Sequence, residues 1–137
     1  MLAKDIMTEN PVTATELMSV AEALTLLYEL DVRHLPVVRG SELVGIISDR
    51  DLRSFSGTDE EGEIDSVENA RTATVSSFMN TSPIKASPET SARELVELML
   101  LHRVGAIPVA DVDTGDLLGI VSYVDLLRVL QETLEPA

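Results

Sequence analysis

The chain has 137 residues, no cysteine, and 24 acidic against 10 basic side chains, which gives a formal net charge of -14. This length suffices to bury a core without covalent staples, and the lack of cysteine excludes disulfides and thiolate chemistry. The acidic surplus argues against non-specific binding to nucleic acid or to an anionic membrane, and without a bilayer-spanning apolar run or a signal-peptide core we expect a soluble cytoplasmic protein.

An internal repeat dominates the sequence and predicts two similar structural units. Residues 5–38 match residues 77–110 at an offset of 72, and two extra residues in DVDTGD then change the offset to 74. The identical pairs include Met7/Met79, Pro11/Pro83, Ala14/Ala86, Ser19/Ser91, Glu22/Glu94, Val32/Val104, Pro36/Pro108, Val37/Val109, Gly45/Gly119, Ser48/Ser122, Asp51/Asp125 and Leu52/Leu126. We therefore expect a first repeat at residues 1–53, an acidic linker at 54–76 and a second repeat at 77–137.

In chain order, each repeat begins with an extended segment, MTENPVTA in the first and MNTSPIKA in the second, because proline disfavours the helical region for the residue before it. A helix follows in each, opened by the capping-box pattern of Ser19 with Glu22 and of Ser91 with Glu94. HLPVV and AIPVA are then predicted to be strands that form hairpins with LVGII and LLGIV. A last helix starts after each hairpin, so the predicted unit is β-α-β-β-α.

The linker contains six acidic residues and little apolar content, which predicts a solvated segment with a short helix at 66–71. A cation site among its carboxylates is an alternative to plain solvation. The two histidines, His34 and His102, fall at different repeat positions, so we expect no shared metal site.

The ordered set of M-T-x-x-P-V, capped helix, H-L-P-V-V and L-V-G-I-I-S-x-x-D-L resembles the CBS domain, and its recurrence makes the chain similar to a tandem CBS pair, or Bateman module. The resemblance implies an α/β fold of the α+β type, in which two β-α-β-β-α units related by a pseudo-twofold axis pack through three-stranded sheets. It also implies two clefts that bind AMP, ADP, ATP or S-adenosylmethionine as a regulatory ligand, with no cofactor required.

The repeated Ser-x-x-Asp motif suits such a ligand. Asp51 and Asp125 each offer a carboxylate that can accept hydrogen bonds from both ribose hydroxyls. Ser48 and Ser122 precede helix N-terminal amides that can donate to a hydroxyl or a phosphate. The other candidates near the base and the polar tail are Thr13, Thr15, Leu35, Pro36, Ile46, Lys85, Ala106, Ile107, Pro108 and Ile120, with backbone groups of His34, Leu35, Ala106 and Ile107 facing the adenine edge.

Each assignment has a structural alternative. Both Ser-x-x-Asp pairs also suit helix caps, with the acid favourable in the first helical turn. Gly45 and Gly119 are expected to let a base approach the strand, or instead to permit close strand packing.

The two copies differ in charge beside the motif. The first copy has the cationic or titratable side chains Arg33, His34, Arg50 and Arg53, whereas Gly105 and Ala106 align with Arg33 and His34 in the second. These cations can neutralise a phosphate tail, so we expect unequal affinities, with phosphorylated adenosine favoured where Arg33, His34 and Arg50 reach it. The alternative is that Arg50 and Arg53 pair with acids on a solvated face.

No P-loop, G-x-S-x-G or H-E-x-x-H motif is present, so we expect no enzyme activity and no catalytic residue. The leading expectation is a regulatory module that senses an adenosyl nucleotide and transmits a conformational change to an effector protein in trans. The alternative is a module that only assembles. The resemblance implies a homodimer formed through helices, and the apolar helical positions available for it are Leu24, Tyr28, Leu101, Leu127 and Leu130.

Overall fold

The computed structural model of the chain describes residues 1–53 and 69–136. The described elements are, in chain order, α1 (Ala3–Ile6), β1 (Thr8–Glu9), β2 (Ala14–Thr15), α2 (Val20–Leu30), β3 (His34–Arg39), β4 (Glu42–Ser48), a 3-10 turn at Val75–Ser77, α3 (Ala92–His102), β5 (Ala106–Ala110), β6 (Leu117–Ser122) and α4 (Tyr123–Thr133). The strands form two three-stranded sheets, β1-β6-β5 and β2-β3-β4. The predicted mixed class of helices and three-stranded sheets is confirmed.

The chain divides into two compact units that do not coincide with the sequence repeats. The repeat-1 unit is Val12–Ser82, and the repeat-2 unit consists of Met1–Pro11 together with Pro83–Ala137. The chain therefore passes from one unit to the other at Pro11 and again at Pro83. Each spatial unit contains the first segment of the other repeat, residues 77–82 in the repeat-1 unit and residues 1–11 in the repeat-2 unit. The boundaries at residues 1–53 and 77–137 therefore stay a prediction about the sequence repeat.

In the repeat-1 unit, β2 runs parallel to β3, and β3 pairs antiparallel with β4. Asn80 extends this sheet on the far side of β4 through an antiparallel bridge to Ile46. One face of the sheet is covered by α2, whose apolar stripe packs on it as the helical spacing predicts. The fully buried residues of this core include Val20, Ala23, Leu27, Leu35, Val37, Ile47 and Leu52.

The repeat-2 unit has the same arrangement. β1 pairs antiparallel with β6, with Thr8 opposite Ile120, and β5 pairs antiparallel with β6. Ala86 adds a parallel bridge to Val109 in β5. The core contains Ala3, Ala86, Leu95, Met99, Ile107, Val109 and Val121, so the N-terminal segment contributes a fully buried side chain to a unit built on the second repeat.

The helix ends follow the repeat. The Ser19 Oγ accepts a hydrogen bond from Glu22 N at 3.1 Å, and the Ser91 Oγ accepts one from Glu94 N at 3.1 Å, which confirms both predicted helix starts. At the other end, Asp31 and Arg103 close α2 and α3 in the left-handed region, with φ of 52° and 55°.

Part of the predicted linker lies outside the described residues. Residues 69–72 are helical, whereas the start of the helix expected at 66–71, the six acidic residues and the alternative cation site among them all fall in 54–68. Residues 49–52 form turns, and a helix predicted after Ser48 would continue into that same range.

Candidate functional site

The candidate residues of the first repeat lie on one face of its sheet. His34 pairs with Ser48, and Pro36 pairs with Ile46. These four alternate along their strands with Leu35, Val37 and Ile47, whose side chains belong to the core beneath α2. Because successive side chains of a strand point to opposite faces, the four candidates lie on the face away from α2.

The second repeat places its candidates in the same way. Ala106 pairs with Ser122, and Pro108 pairs with Ile120. Ile107, like Leu35 in the first repeat, is buried in the core, at 0% and 1% exposure respectively. The side chains of Ile107 and Leu35 are therefore unavailable to a ligand, and only their backbone can serve, which is the role predicted for them. Pro36 and Pro108 are likewise under 2% exposed, so the partly exposed apolar side chains of the candidate face are Ile46 and Ile120.

The segment before each hairpin brings further polar side chains to this face. Ala14 pairs with Val37 in β3 and points into the core. Thr13 and Thr15, on either side of it, therefore lie on the face of Pro36. Lys85 precedes Ala86 in the same relationship to β5, and its side chain is exposed.

A backbone hydrogen bond ties the start of each hairpin to the turn that follows it. Asp49 N donates to Arg33 O at 2.9 Å in the repeat-1 unit, and Tyr123 N donates to Gly105 O at 2.9 Å in the repeat-2 unit. The first bond brings Arg33 beside the turn that carries Arg50, and both side chains are exposed. The structure thus places Arg33, His34 and Arg50 near one Ser-x-x-Asp motif and leaves Gly105 beside the other.

Both Ser-x-x-Asp motifs form reciprocal caps. Ser48 N donates to Asp51 Oδ2 at 2.9 Å, and Asp51 N donates to Ser48 Oγ at 3.1 Å. Ser122 N donates to Asp125 Oδ2 at 2.8 Å, and Asp125 N donates to Ser122 Oγ at 3.3 Å. The capping alternative is therefore present at the start of α4 in the second copy, and in the first copy the same bonds close the turn at residues 49–52. In Asp125 the Ser122 Oγ also donates to Oδ2, at 3.1 Å, so a ribose would use Oδ1, which lies 3.9 Å from Nη1 of Arg128. In Asp51 a ribose could use Oδ1 or the second acceptor site of Oδ2.

The glycines of the two hairpins face a methionine. A Cβ at Gly45 would lie 2.8 Å from the backbone O of Asn80 and 2.9 Å from the Sδ of Met79. A Cβ at Gly119 would lie 2.8 Å from the backbone O of Thr8, with the Sδ of Met7 closer still, at 2.6 Å. The structure accounts for both glycines by close packing, the second of the two interpretations. No role for the two methionines was predicted, although Met7 and Met79 are one of the identical pairs.

His34 has a distinctive environment among the candidates. It is half-buried, and its burial lowers the pKa of the imidazole from the ordinary value. The carboxylates of Asp49 and Asp51 act in the opposite direction on that pKa, and the Arg33 guanidinium lowers it further. The environment of His34 therefore disfavours the charged imidazole, because burial outweighs the two carboxylates.

The apolar positions predicted for assembly divide into two groups. Tyr28, Leu101, Leu127 and Leu130 are 88%, 75%, 54% and 49% exposed. Leu24 is partly buried against the core of the repeat-1 unit, so its prediction as a spare apolar position is wrong.

Two negative findings bound the chemistry of the described parts of the chain. Across residues 1–53 and 69–136, no group of three or more His, Asp or Glu side chains is placed to hold a metal ion. None of the helices in those ranges has the length and apolar character needed to cross a membrane.

Comparison with known proteins connects this geometry to a family. The CBS domain model matches residues 3–57 and 75–132. A CBS domain-containing protein from Dictyostelium discoideum is 35% identical, with 98% of this chain and 94% of that protein covered. The crystal structure of CBSX2 in complex with AMP has a TM-score of 0.82 and 28% identity, covering 98% of this chain and 99% of that chain. CBSX2 is a CBS-pair protein from Arabidopsis thaliana.

A second solved structure carries different ligands. The CBS domain pair of protein MJ0100, in complex with 5'-methylthioadenosine and S-adenosyl-L-methionine, has a TM-score of 0.80 and 26% identity over 98% of each chain. The two family matches and the two sheets of one topology together show that this chain belongs to the CBS domain family and contains two CBS domains in tandem.

Proposed function

We propose that this chain is a regulatory module that binds an adenosine-containing ligand at the Ser-x-x-Asp motif of its units. The observation that carries the proposal is the shared geometry of the two motifs. Each stands at the end of a hairpin face lined by proline and isoleucine, and each cap uses Oδ2 of its aspartate and leaves Oδ1 outside the cap. An apolar wall next to a carboxylate acceptor is what a nucleoside requires.

The proposed roles follow from position. The adenine packs against the partly exposed Ile46 or Ile120, beside the buried Pro36 or Pro108, and the backbone of the neighbouring core residue faces its edge. The ribose diol donates to Oδ1 of Asp51 or Asp125. In the repeat-1 unit the tail lies towards Arg33, His34 and Arg50, with Thr13 and Thr15 on the same face. In the repeat-2 unit Lys85 is the basic residue on the corresponding segment. AMP, ADP, ATP and S-adenosylmethionine are the ligand candidates, and the AMP complex of CBSX2 supports the first.

Regulation follows from differential binding. A ligand shifts the equilibrium between two arrangements of the protein only by its different affinity for each of them. We propose that an effector protein in trans reads this shift.

Isothermal titration calorimetry with AMP, ATP and S-adenosylmethionine tests the proposal. We expect saturable heat with at least one of them at or below millimolar ligand, together with a rise in the unfolding temperature, because a ligand that binds only the folded state stabilises it. No heat and no thermal shift with any of the three would remove the sensor function.

A second candidate function, assembly without a ligand, is favoured by the exposed apolar side chains of the repeat-2 unit. Leu101 on α3 and Leu127 and Leu130 on α4 are each about half or more exposed, on two helices that pack against each other. Exposed apolar clusters mark interfaces, and a closed twofold dimer is the common solution. We propose that these helices form the homodimer contact.

Sedimentation separates this candidate from a monomeric sensor. Leu127→Glu should shift the wild-type dimer to monomer without loss of folding, whereas Leu17→Glu, at a similarly exposed leucine of the repeat-1 unit, should leave it dimeric. A monomeric wild-type chain at micromolar concentration would contradict the assembly function while leaving the sensor function testable by calorimetry.

A further inference from the structure

The two Ser-x-x-Asp sites differ most at one pair of aligned positions. His34 pairs with Ser48 in the repeat-1 unit, and Ala106 pairs with Ser122 in the repeat-2 unit. Both residues open the first strand of their hairpin and lie on the candidate face. The repeat-1 site therefore has a titratable group beside its serine, and the equivalent position of the repeat-2 site has a methyl group.

Resting on the proposed function, we infer that His34 makes the repeat-1 site selective for a phosphate-bearing ligand by taking up a proton when that ligand binds. The repeat-2 site, with Ala106 in its place, binds without proton uptake at this position. One chain then has two adenosyl sites, of which one responds to pH and to the charge of the tail.

The position of His34 supports this role. It begins β3 directly after Arg33, whose carbonyl accepts the Asp49 amide and so holds the motif turn against the strand. The charged groups that act on the imidazole are Asp49, Asp51 and Arg33, and Arg50 lies on the same turn. A tail that extends from a ribose at Asp51 towards Ser48 passes the strand pair that holds His34.

The direction in which pH changes the affinity follows from the pKa of His34 with and without a bound phosphate. Without a ligand, burial and Arg33 lower the pKa of His34, and the two carboxylates offset this only in part. A phosphate dianion brought beside the ring favours the protonated form and raises its pKa. Since the pKa is higher in the complex, the affinity for a phosphate ligand rises as pH falls through the interval between the two values.

Adenosine and S-adenosylmethionine provide the chemical contrast. Adenosine has no anion to stabilise the imidazolium, so its binding takes up no proton at His34. S-adenosylmethionine carries a sulfonium next to the ribose, which disfavours a second positive charge nearby. His34 therefore discriminates against both in favour of AMP as the pH is lowered.

Calorimetry in two buffers of different ionisation enthalpy measures the proton uptake directly. The probes are AMP and adenosine, titrated into wild-type chain, His34→Asn and His102→Asn. His102 is the only other histidine of the chain and lies at the end of α3, so its variant is the matched control. AMP has a phosphate that titrates on its own, near pH 6 in phosphomonoesters, and this titration is coupled to that of a neighbouring imidazole. The titrations are therefore made at about pH 7.5, where the phosphate is already largely a dianion before it binds.

We expect the wild type and His102→Asn to take up more protons when they bind AMP than when they bind adenosine. In His34→Asn this difference between AMP and adenosine should be lost. From about pH 8 to about pH 6.5, the ratio of wild-type to His34→Asn affinity for AMP should rise by up to about tenfold, because one unit of pKa difference corresponds to a factor of ten. Equal proton uptake in wild type and His34→Asn would overturn the inference and leave the proposed function standing.

A second measurement covers the case in which His34→Asn does not fold. In His102→Asn the single remaining imidazole signal belongs to His34 and can be titrated by NMR with and without saturating AMP. A higher titration midpoint with AMP, and none with adenosine, supports the inference, and an unchanged midpoint overturns it. If AMP gives no heat with the wild type at any pH, the inference and the nucleotide function at this site both fall.

Discussion

Met79 fills the space that a side chain at Gly45 would occupy, and Met7 does the same at Gly119. Both methionines stand on the segment by which one repeat enters the unit of the other. The glycine and the methionine are thus two halves of one contact, made once in each unit. Substitution at the glycine tests how tightly the entering segment is held.

Gly45→Ala should destabilise the chain by about 1–3 kcal/mol, the usual cost of overpacking a well-packed site. The added Cβ would meet the Asn80 carbonyl at 2.8 Å, and a backbone atom cannot move aside as a flexible side chain can. Urea unfolding measures the loss. Adding Met79→Ala to the Gly45→Ala variant should recover only part of the lost stability, because the close contact with the Asn80 carbonyl remains. A Gly45→Ala protein as stable as the wild type would show that the segment can shift freely.

The local features of this fold are predictable from sequence because short-range chemistry determines them. The serine caps of α2 and α3 and the β3–β4 and β5–β6 hairpins each depend on a few neighbouring residues. The faces of the sheets follow from the alternation of apolar residues. The pairing of the candidate residues within each hairpin could therefore be predicted from the sequence. The alternative role of Asp51 and Asp125 as caps could be predicted in the same way.

The passage of the chain between units at Pro11 and Pro83 could not be predicted in this way. The segments MTENP and MNTSP have the same pattern, so pairing with the chain's own repeat and pairing with the other repeat satisfy the same local rules. Only the long-range pairing of Thr8 with Ile120, and of Asn80 with Ile46, distinguishes them. The two interpretations of Gly45 and Gly119 could not be separated for the same reason, because the atoms that face them belong to these distant segments.

Arg103→Gly should stabilise the chain by about 0.5–1 kcal/mol. Arg103 ends α3 with φ of 55°, a left-handed conformation that costs a residue with a Cβ and that glycine adopts freely. Asp31→Gly, at the same position of the first repeat with φ of 52°, should behave alike. Gly40→Ala is the converse control, since its φ is 64° and no atom lies within 4 Å of the added Cβ. Thermal unfolding should rank the first two above the wild type and Gly40→Ala below it.

The ion pair between Arg39 and Glu16 predicts a small loss of stability in acid. Arg39 Nε lies 2.8 Å from Glu16 Oε1 and Nη2 lies 3.0 Å from Oε2, and the hydrogen bond from Arg39 lowers the pKa of Glu16. A carboxyl whose pKa is lower in the folded state stabilises it above the unfolded pKa and loses this contribution as pH falls through the folded one. Glu16→Gln should therefore narrow the difference in stability between neutral and acidic pH. An identical pH profile for variant and wild type would show that the exposed pair contributes nothing measurable.

Asp51→Ala separates the ligand role of the motif from its role as a cap. Asp5 is the matched control, since its Oδ2 accepts from Leu2 N at 2.8 Å as that of Asp51 accepts from Ser48 N, although Leu2 has no side-chain oxygen to return the bond. Both alanine variants should lose about 0.5–2 kcal/mol of stability, as removal of a cap does. Only Asp51→Ala should also weaken AMP binding at its site, by about 10- to 100-fold or about 1.5–3 kcal/mol, because it removes charge-assisted bonds to the ribose. If Asp51→Ala and Asp125→Ala combined leave the affinity unchanged, the two aspartates cap their turns and nothing more, and the nucleotide must be held by other groups.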